Sequence, residues 1–556
     1  MKKTAFYRHN YTFFMLIMAL FFSILVTCFY RDLFGMECRN AIFAKEMLNH
    51  IKFIPTYMNI PYPDYTPVYF WLEVLFAKLI GNLNTIAAVL PSCIAFIGIT
   101  ALLYFLVISI SQDLALLTSI IFISFPKVWD AASHVTIDIL LAFTISITLV
   151  SLYLSIQDNR YKYYNPKWFI LAIIFMIISF LVKSLIGIVL PFFVWNLYLL
   201  LKYKKNSIKR VLYFSIICLI VIIICQSFEL VMDYKSYGVL FVKQVIALQI
   251  TSRLTEKPNH SLFYYISVTL DCIFPWLIIL IYLIFYNTKE IQITKKIKYL
   301  YDKIYFTPLE SDLMLFGISW FLAIFLVFEL ASCKHSRYLY PAMPGLAICF
   351  AILIYKLYSH NNRILNFFKI LALVVIFLPF LPLLFKIKGI TLHTLLFSLC
   401  IVIGYICWYL IKFINIRIRP WFYLGFAIIF LMSSFSVLFN TVYSQKQSGS
   451  QFMYSINNYV KQVKNNNMPV YVYGISRDGN GIKIYCYTSS DLKLKFINHS
   501  KLLEHKPPFI LICYKKDSQK LLNILHKKYK THLLCKGLVH MVPVEGFLIT
   551  KGRDNE

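Results

Sequence analysis

A chain of 556 residues that is 59% hydrophobic and only 14% charged, with a mean hydropathy of +0.68, excludes an ordinary soluble fold, since soluble domains seldom pass about half apolar residues. The formal charge of +30 invites a nucleic-acid reading, but much of the lysine and arginine lies in short loops between apolar runs, where it sets membrane topology. The thirteen cysteines are scattered, with no CxxC and no zinc spacing, and most sit inside apolar runs as small hydrophobes.

The chain begins with Lys2-Lys3 and an apolar run that lacks a small-x-small cleavage site, which predicts a retained signal anchor. A bilayer crossing needs about 20 apolar residues. Thirteen stretches qualify: 11–30, 86–110, 114–132, 137–156, 168–182, 185–201, 211–230, 262–286, 313–331, 338–357, 364–385, 391–412 and 421–441. Residues 67–81 are apolar but short and aromatic, which suits an interfacial or re-entrant helix. With the N-terminus cytoplasmic, the loops 157–167, 202–210, 287–312 and 413–420 fall inside, and these are the short lysine- and arginine-rich ones. Counting 67–81 as a span would invert every later loop and move these clusters outside. The expected organisation is therefore a membrane domain over 1–441 with a long first outer loop, 31–85, followed by an outer domain over 442–556.

That tail is polar, with strand-like runs "MPVYVYGI", "GIKIYCYT" and "PFILICYK" and a helix-like "SQKLLNILHKKYK", a small α/β pattern. Its "RDGNG" is a turn signal; a nucleotide loop needs a strand–GxGxxG–helix context that is absent. No internal repeat of the transporter kind is visible.

Ionisable residues at the outer boundaries are the informative ones, because a charge at a membrane needs water, a partner or a function. The first outer loop carries Glu37, Arg39, Lys45, Glu46 and Asp64; later boundaries add Asp130, His134, Asp138, Lys183, Lys243, Arg253, Glu256, His260, Lys334, His335 and Arg337. Acids and bases from five loops converge on one face, which suits an anionic ligand held by cations and worked on by a carboxylate. Plainer roles compete. Arg39 and Lys45 equally suit the solvated face of a surface helix, Asp138 an N-cap, Lys183 a snorkelling cation, and Lys334 with Arg337 an anchor at a span entrance. Two cations three residues apart also suit phosphate, arginine by its fork and lysine as a point charge.

The order of several short motifs carries a resemblance. "MECRNAIFAKEML" and "DYTPVYFWLEVLF" in the first loop, "IDILLAF", the Lys183-Ser184 turn, "LFYYISVTLDCIFPWL" and "KHSRYLYPAMPGLAI" follow one another between about residues 11 and 357. In this order the chain resembles the GT-C glycosyltransferases of the protein O-mannosyltransferase type, and especially their bacterial relatives that include the lipid A aminoarabinose transferases. The resemblance implies an all-α polytopic GT-C-like membrane protein with a small C-terminal α/β extracytoplasmic domain, multi-pass in the bacterial inner membrane, its C-terminal domain periplasmic. It implies transfer of a sugar from a polyprenyl-phosphate donor to an envelope acceptor, lipid A or protein, by an inverting displacement on the periplasmic face. Glu37, Asp64 and Asp138 are then the candidate catalytic carboxylates. Arg253, Lys334, Arg337 and Lys183 are the candidates for the donor phosphate. No particular cofactor is indicated; a divalent metal is compatible with the acids and His134 or His260, although no spacing demands one. Two positions depart from the pattern: Met36 stands where the resemblance predicts a catalytic aspartate, and Tyr65 where it predicts a lysine. The competing readings are a transporter or flippase of lipid-linked sugars and a catalytically inactive relative acting as a scaffold.

Overall fold

The computed structural model describes residues 2–29, 31–158, 160–161, 163–251, 260–261, 263–288, 306–358, 420–463, 468–489, 492, 494–497, 506–526 and 528–551. The spans expected at 364–385 and 391–412, and Arg253, lie outside the described residues.

Apolar runs of the required length become helices because only internal hydrogen bonding satisfies a backbone in hydrocarbon. The first is α1 (Lys2–Phe29). The first loop then folds into α2 (Met36–Met47), a two-strand hairpin of β1 (Thr56–Tyr57) and β2 (Ile60–Pro61), and α3 (Val68–Ile80). With 13 residues, α3 is too short to cross and stops at Gly81, whose φ of 94° is the left-handed conformation that ends helices. The bundle continues through α4 (Thr85–Val107), α5 (Gln112–Ile123), α6 (Pro126–Ser133), α7 (Ile137–Ser155), α8 (Pro166–Lys183), α9 (Ile186–Tyr203) and α10 (Ile208–Ile246). It is completed by α11 (Tyr264–Thr288), α12 (Pro308–Glu329), a 3-10 turn over Ser336–Ala342 leading into α13 (Met343–Tyr358), and α14 (Pro420–Gln447). Six helical stretches, or eight if each of two bent pairs is one span, are long and apolar enough to cross a membrane among the described residues. One of the six, Ile186–Gln249, contains both α9 and α10.

The run expected as a single rod over 114–132 is bent. α5 and α6 meet at 70°, because Pro126 opens α6 and holds Phe125 in extended backbone, φ −69° and ψ 111°.

The bundle has two chemically different ends. At one, Lys202 pairs with Asp312 at 2.8 Å, Lys356 with Glu310 at 2.6 Å, and Tyr164 donates to the Arg210 carbonyl at 3.4 Å. The loops 157–167 and 202–210 and the start of α12 therefore gather together, as the charge pattern predicts. At the other end lie α2, α3, the α6–α7 and α8–α9 turns, the approach to α13, and the tail.

The tail holds α15 (Ser450–Gln462), β3 (Val470–Tyr473), α16 (Gly481–Tyr487), β4 (Leu494–Ile497), β5 (Phe509–Tyr514), α17 (Lys515–Leu525), β6 (Tyr529–Val539) and β7 (Val542–Lys551). The sheet order is β4-β3-β5-β7-β6, with β3 parallel to β4 and β5, and β7 antiparallel to its neighbours. Alternation along β5 splits two cores: Ile510 and Ile512 pack with Phe452 and Ile456 of α15, while Phe509 and Leu511 pack with Leu521 and Leu525 of α17.

"GIKIYCYT" is a helix, α16, and not the strand its alternation predicts. Gly481 through Ile484 are all buried, which a half-buried strand does not allow. A half-buried lysine also completes the helix from outside: Lys45 Nζ of α2 donates to the carbonyls of Tyr485 (2.8 Å), Cys486 (3.2 Å) and Thr488 (2.5 Å) at its C-terminus, where a cation is favoured.

Candidate active site

A cavity of ≈ 580 Å³ opens where the first loop meets the ends of α7, α8 and α12. Each charged wall residue is placed by a helix end or turn. Arg39 sits in the first turn of α2, and Asp64 follows the β1–β2 hairpin. Asp138 lies in the first turn of α7, Lys183 is the last residue of α8, and Arg337 belongs to the 3-10 turn before α13. Lys183 can end its helix sharply because Ser184 adopts φ 50°, a region that favours glycine.

Asp138 is buried and organises two cations: Lys183 Nζ bonds its Oδ1, and Arg337 Nε lies 3.4 Å from its Oδ2. The Lys183 ammonium stands 4.8 Å above the Tyr338 ring, a favourable cation–π arrangement. Across the cavity Arg39 bonds the Tyr62 hydroxyl and lies over the rings of Tyr62 (5.0 Å) and Tyr65 (5.3 Å). Burial pushes the Tyr62 hydroxyl up to about 12, so it remains a neutral donor. His335 also lines the cavity. Burial, reinforced by the Arg337 guanidinium, lowers its pKa and keeps the ring neutral near pH 7. Three permanent cations thus face two carboxylates, an excess of positive charge over a partly apolar wall that includes Leu141, Ile186, Val327 and Phe328.

Of the residues expected to act, Asp64, Asp138, Lys183 and Arg337 come together here. Two others are placed elsewhere. Glu37 does not line this cavity and its acceptor sites are filled. Arg31 donates to Oε2 at 2.6 Å and Oε1 at 2.8 Å, Val135 N to Oε1 at 2.9 Å, and Phe34 N to Oε2 at 3.2 Å. Four bonds saturate a carboxylate, so the expectation of a catalytic base at Glu37 gives way to a structural ion pair. Lys334 is likewise turned inward, 3% exposed, bonded to Glu329 at 2.7 Å and the Ser261 carbonyl at 3.3 Å. The extended backbone of His335 (φ −137°, ψ 139°) separates it from Arg337, so the two cations do not share one face.

Arg39, conversely, is a cavity cation and not a solvated surface residue: eight of the twelve residues of α2 are buried, between α3, the hairpin and α16. The signal for it was the spacing of charge in "ECRN", which alone does not say which side the helix buries. Met36 is half-exposed and, together with the neighbouring Glu37, lines a separate cavity of ≈ 440 Å³ with Phe34, Trp129, Asp130, His134 and Tyr443.

Comparison with known proteins agrees with this architecture. Residues 64–228 match the family model for dolichyl-phosphate-mannose-protein mannosyltransferases. The whole chain is similar to ArnT from Cupriavidus metallidurans bound to undecaprenyl phosphate, with a TM-score of 0.71 at 15% identity over 96% of this chain and 97% of that one. The apo form of the same protein gives 0.70 at the same identity and coverage. The likeness to ArnT gives the fold, and with the long apolar helices it defines the class: a multi-pass membrane protein with the GT-C fold. A relative from Aquifex aeolicus (strain VF5), an uncharacterised protein, is 26% identical over 345 residues, 61% of this chain and 72% of its own length.

Proposed function

We propose that this protein transfers a sugar from a polyprenyl-phosphate donor to an envelope acceptor, lipid A or protein, at the periplasmic face of a bacterial inner membrane. The observation that carries the reading is the convergence of Arg39, Lys183 and Arg337 on one cavity beside the membrane boundary, with Asp64 and Asp138. ArnT, of the same fold, has been crystallised with a lipid phosphate, undecaprenyl phosphate.

The reaction breaks the bond between the anomeric carbon and the phosphate oxygen. The leaving lipid phosphate is anionic, so it needs cations and no general acid. Lys183 and Arg337, held in place by Asp138, and Arg39, braced on Tyr62 and Tyr65, supply preorganised positive charge to it; such stabilisation is usually the largest catalytic term. A single displacement inverts the anomeric centre. For a hydroxyl acceptor Asp64 takes the proton as attack proceeds; an acceptor phosphate is already anionic and makes little demand on a base. Arg253, outside the described residues, would add a further cation on the donor side.

The test is transfer by the purified protein from a polyprenyl-phosphate sugar. Arg337→Ala, Lys183→Ala and Arg39→Ala should each raise the donor KM by about 10- to 100-fold, the worth of one lost hydrogen bond to a charged group. Unchanged donor kinetics in all three would refute the phosphate site. Movement of the lipid across vesicles without transfer would favour the flippase reading instead. Mass spectrometry of lipid A and envelope proteins from a deletion strain identifies the acceptor.

A further inference from the structure

Behind the cavity, on the other side of the Lys183–Ser184 turn, lies a polar cluster that sugar transfer does not use. α10 is two-sided: Leu212, Ile216, Leu219 and Ile223 are exposed, whereas Phe214, Cys218, Val221 and Cys225 face inward. Continuing the inward stripe in four-residue steps brings Glu229 and Asp233 to the buried face, 5% and 4% exposed. Among the described residues Glu229 accepts only from neutral groups: Gln226 Nε2 and Gln249 Nε2 at 3.2 Å, and Ser184 Oγ at 3.4 Å. Asp233 Oδ2 is buried with no hydrogen-bond partner.

A second observation comes from a different element. Thr66, in the first loop, is 4% exposed, and its Oγ1 also has no partner. Thr66, Glu229 and Asp233 line one small, partly open pocket of ≈ 10 Å³, about the room one water-sized sphere needs. The helix is broken at Gly238, φ 78°, which lets Phe241 and Val245 beyond the break line the same pocket. Among the described residues no cation bonds either carboxylate, and two buried acids with two unsatisfied oxygens around one small pocket are costly unless something positive fills it.

We propose that Glu229, Asp233 and Thr66 form a site for a hard divalent cation of the Ca²⁺ type, tying α10 to the first loop. Every polar side-chain atom in the lining is oxygen, which selects hard cations over zinc or copper. Ca²⁺ accepts a flexible shell of carboxylate, hydroxyl and water oxygens, whereas Mg²⁺ demands a near-ideal octahedron that three side chains from two elements do not impose. Two carboxylates neutralise a divalent ion. The site is mechanically coupled to the cavity: Gln249 Nε2 bonds both Glu229 Oε1 and the Pro63 carbonyl (3.1 Å), and Ser184 Oγ bonds Gln249 Oε1 (2.7 Å). The neighbours of these partners are Asp64 and Lys183.

The experiment uses the full chain in detergent, stripped with a calcium chelator. Equilibrium dialysis against radiolabelled Ca²⁺ should show one equivalent bound, and Tm should rise with Ca²⁺ by mass action and respond less to Mg²⁺. Asp233→Asn should weaken Ca²⁺ binding by about a hundredfold. Thr66→Val, which keeps both carboxylates and the packing, should weaken it about tenfold. Asp64→Asn, in the larger cavity, should leave Ca²⁺ binding unchanged, which separates this site from any ion held there. Absence of Ca²⁺ binding by the unmodified protein, or undiminished binding in both Asp233→Asn and Thr66→Val, would overturn the proposal. So would a higher cation-free Tm in Asp233→Asn with no Ca²⁺ effect in the parent, since it would mean that a proton occupies the carboxyl.

Discussion

Glu37 and Asp138 are both buried acids at the same end of the bundle, and their partners give them different work. Glu37 is consumed by Arg31 and two backbone amides; Asp138 holds two cations that remain at a cavity wall. Removing one partner of a buried pair costs about 3–5 kcal/mol because the other charge is stranded. Glu37→Gln should therefore lower Tm strongly, by differential scanning fluorimetry, and reduce activity only in proportion to folded protein. Its pH dependence follows from the same contacts. Burial raises the Glu37 pKa, but Arg31 and His134 outweigh it and leave it below the ordinary 4.5. A depressed carboxyl contributes its full stability above that ordinary value and loses it as pH falls through the lower folded value. The Tm gap between the parent and Glu37→Gln should stay constant from neutrality down to about pH 4.5 and narrow below it. A gap that does not change under acid would rule out the charged pair.

At the level of elements, two contacts set the frame of the cavity. α8 and α9 approach so closely at their turn that a Cβ on Gly187 would lie 2.3 Å from the Ser179 carbonyl, and backbone cannot yield as a side chain does. Gly187→Ala should push the helices apart at about 1–3 kcal/mol and displace Lys183 with them, so donor KM should worsen together with Tm. The second contact is Lys45. Its ammonium closes the end of α16 and joins the tail to α2, and loss of its three bonds should cost on the order of 3 kcal/mol. Lys45→Met should speed proteolytic release of the tail while leaving the bundle intact; equal cleavage rates would show that other contacts hold it. One such contact is the β6–β7 turn. His540 (φ 52°) and Met541 (φ 62°) both adopt left-handed backbone, and their amides bond the Gln447 and Lys446 carbonyls at the end of α14. Turns of this kind usually carry Asn-Gly, so "VHMV" gave no warning of a hairpin.

For the whole molecule, the segregation of ends makes a topological prediction. Lysine-rich loops 157–167 and 202–210 lie together at one end, and the cavity and tail at the other. We expect the first end in the cytoplasm by the positive-inside rule. An alkaline phosphatase fused at the C-terminus should be active and a fluorescent protein there dark; the opposite result would invert the orientation.

Periodicity, run length and loop charge were enough to anticipate the helical membrane fold, the short α3 and the α/β tail, because hydrophobic burial and charge exclusion act locally along the chain; the resemblance in motif order then singled out Asp64, Asp138, Lys183 and Arg337 among the boundary charges. The rest depended on packing between distant segments. "GIKIYCYT" is helical because Lys45, more than four hundred residues earlier, binds its carbonyls. Arg39 is a site cation because α2 is buried on its other sides, and Glu37 is a structural acid because Arg31 and Val135 reach it first. A sequence lists which charges stand near a membrane boundary. Which of them are neutralised by a partner, and which are left facing a cavity, is decided only when the helices pack, because in low dielectric a charge takes the nearest partner that the fold brings to it.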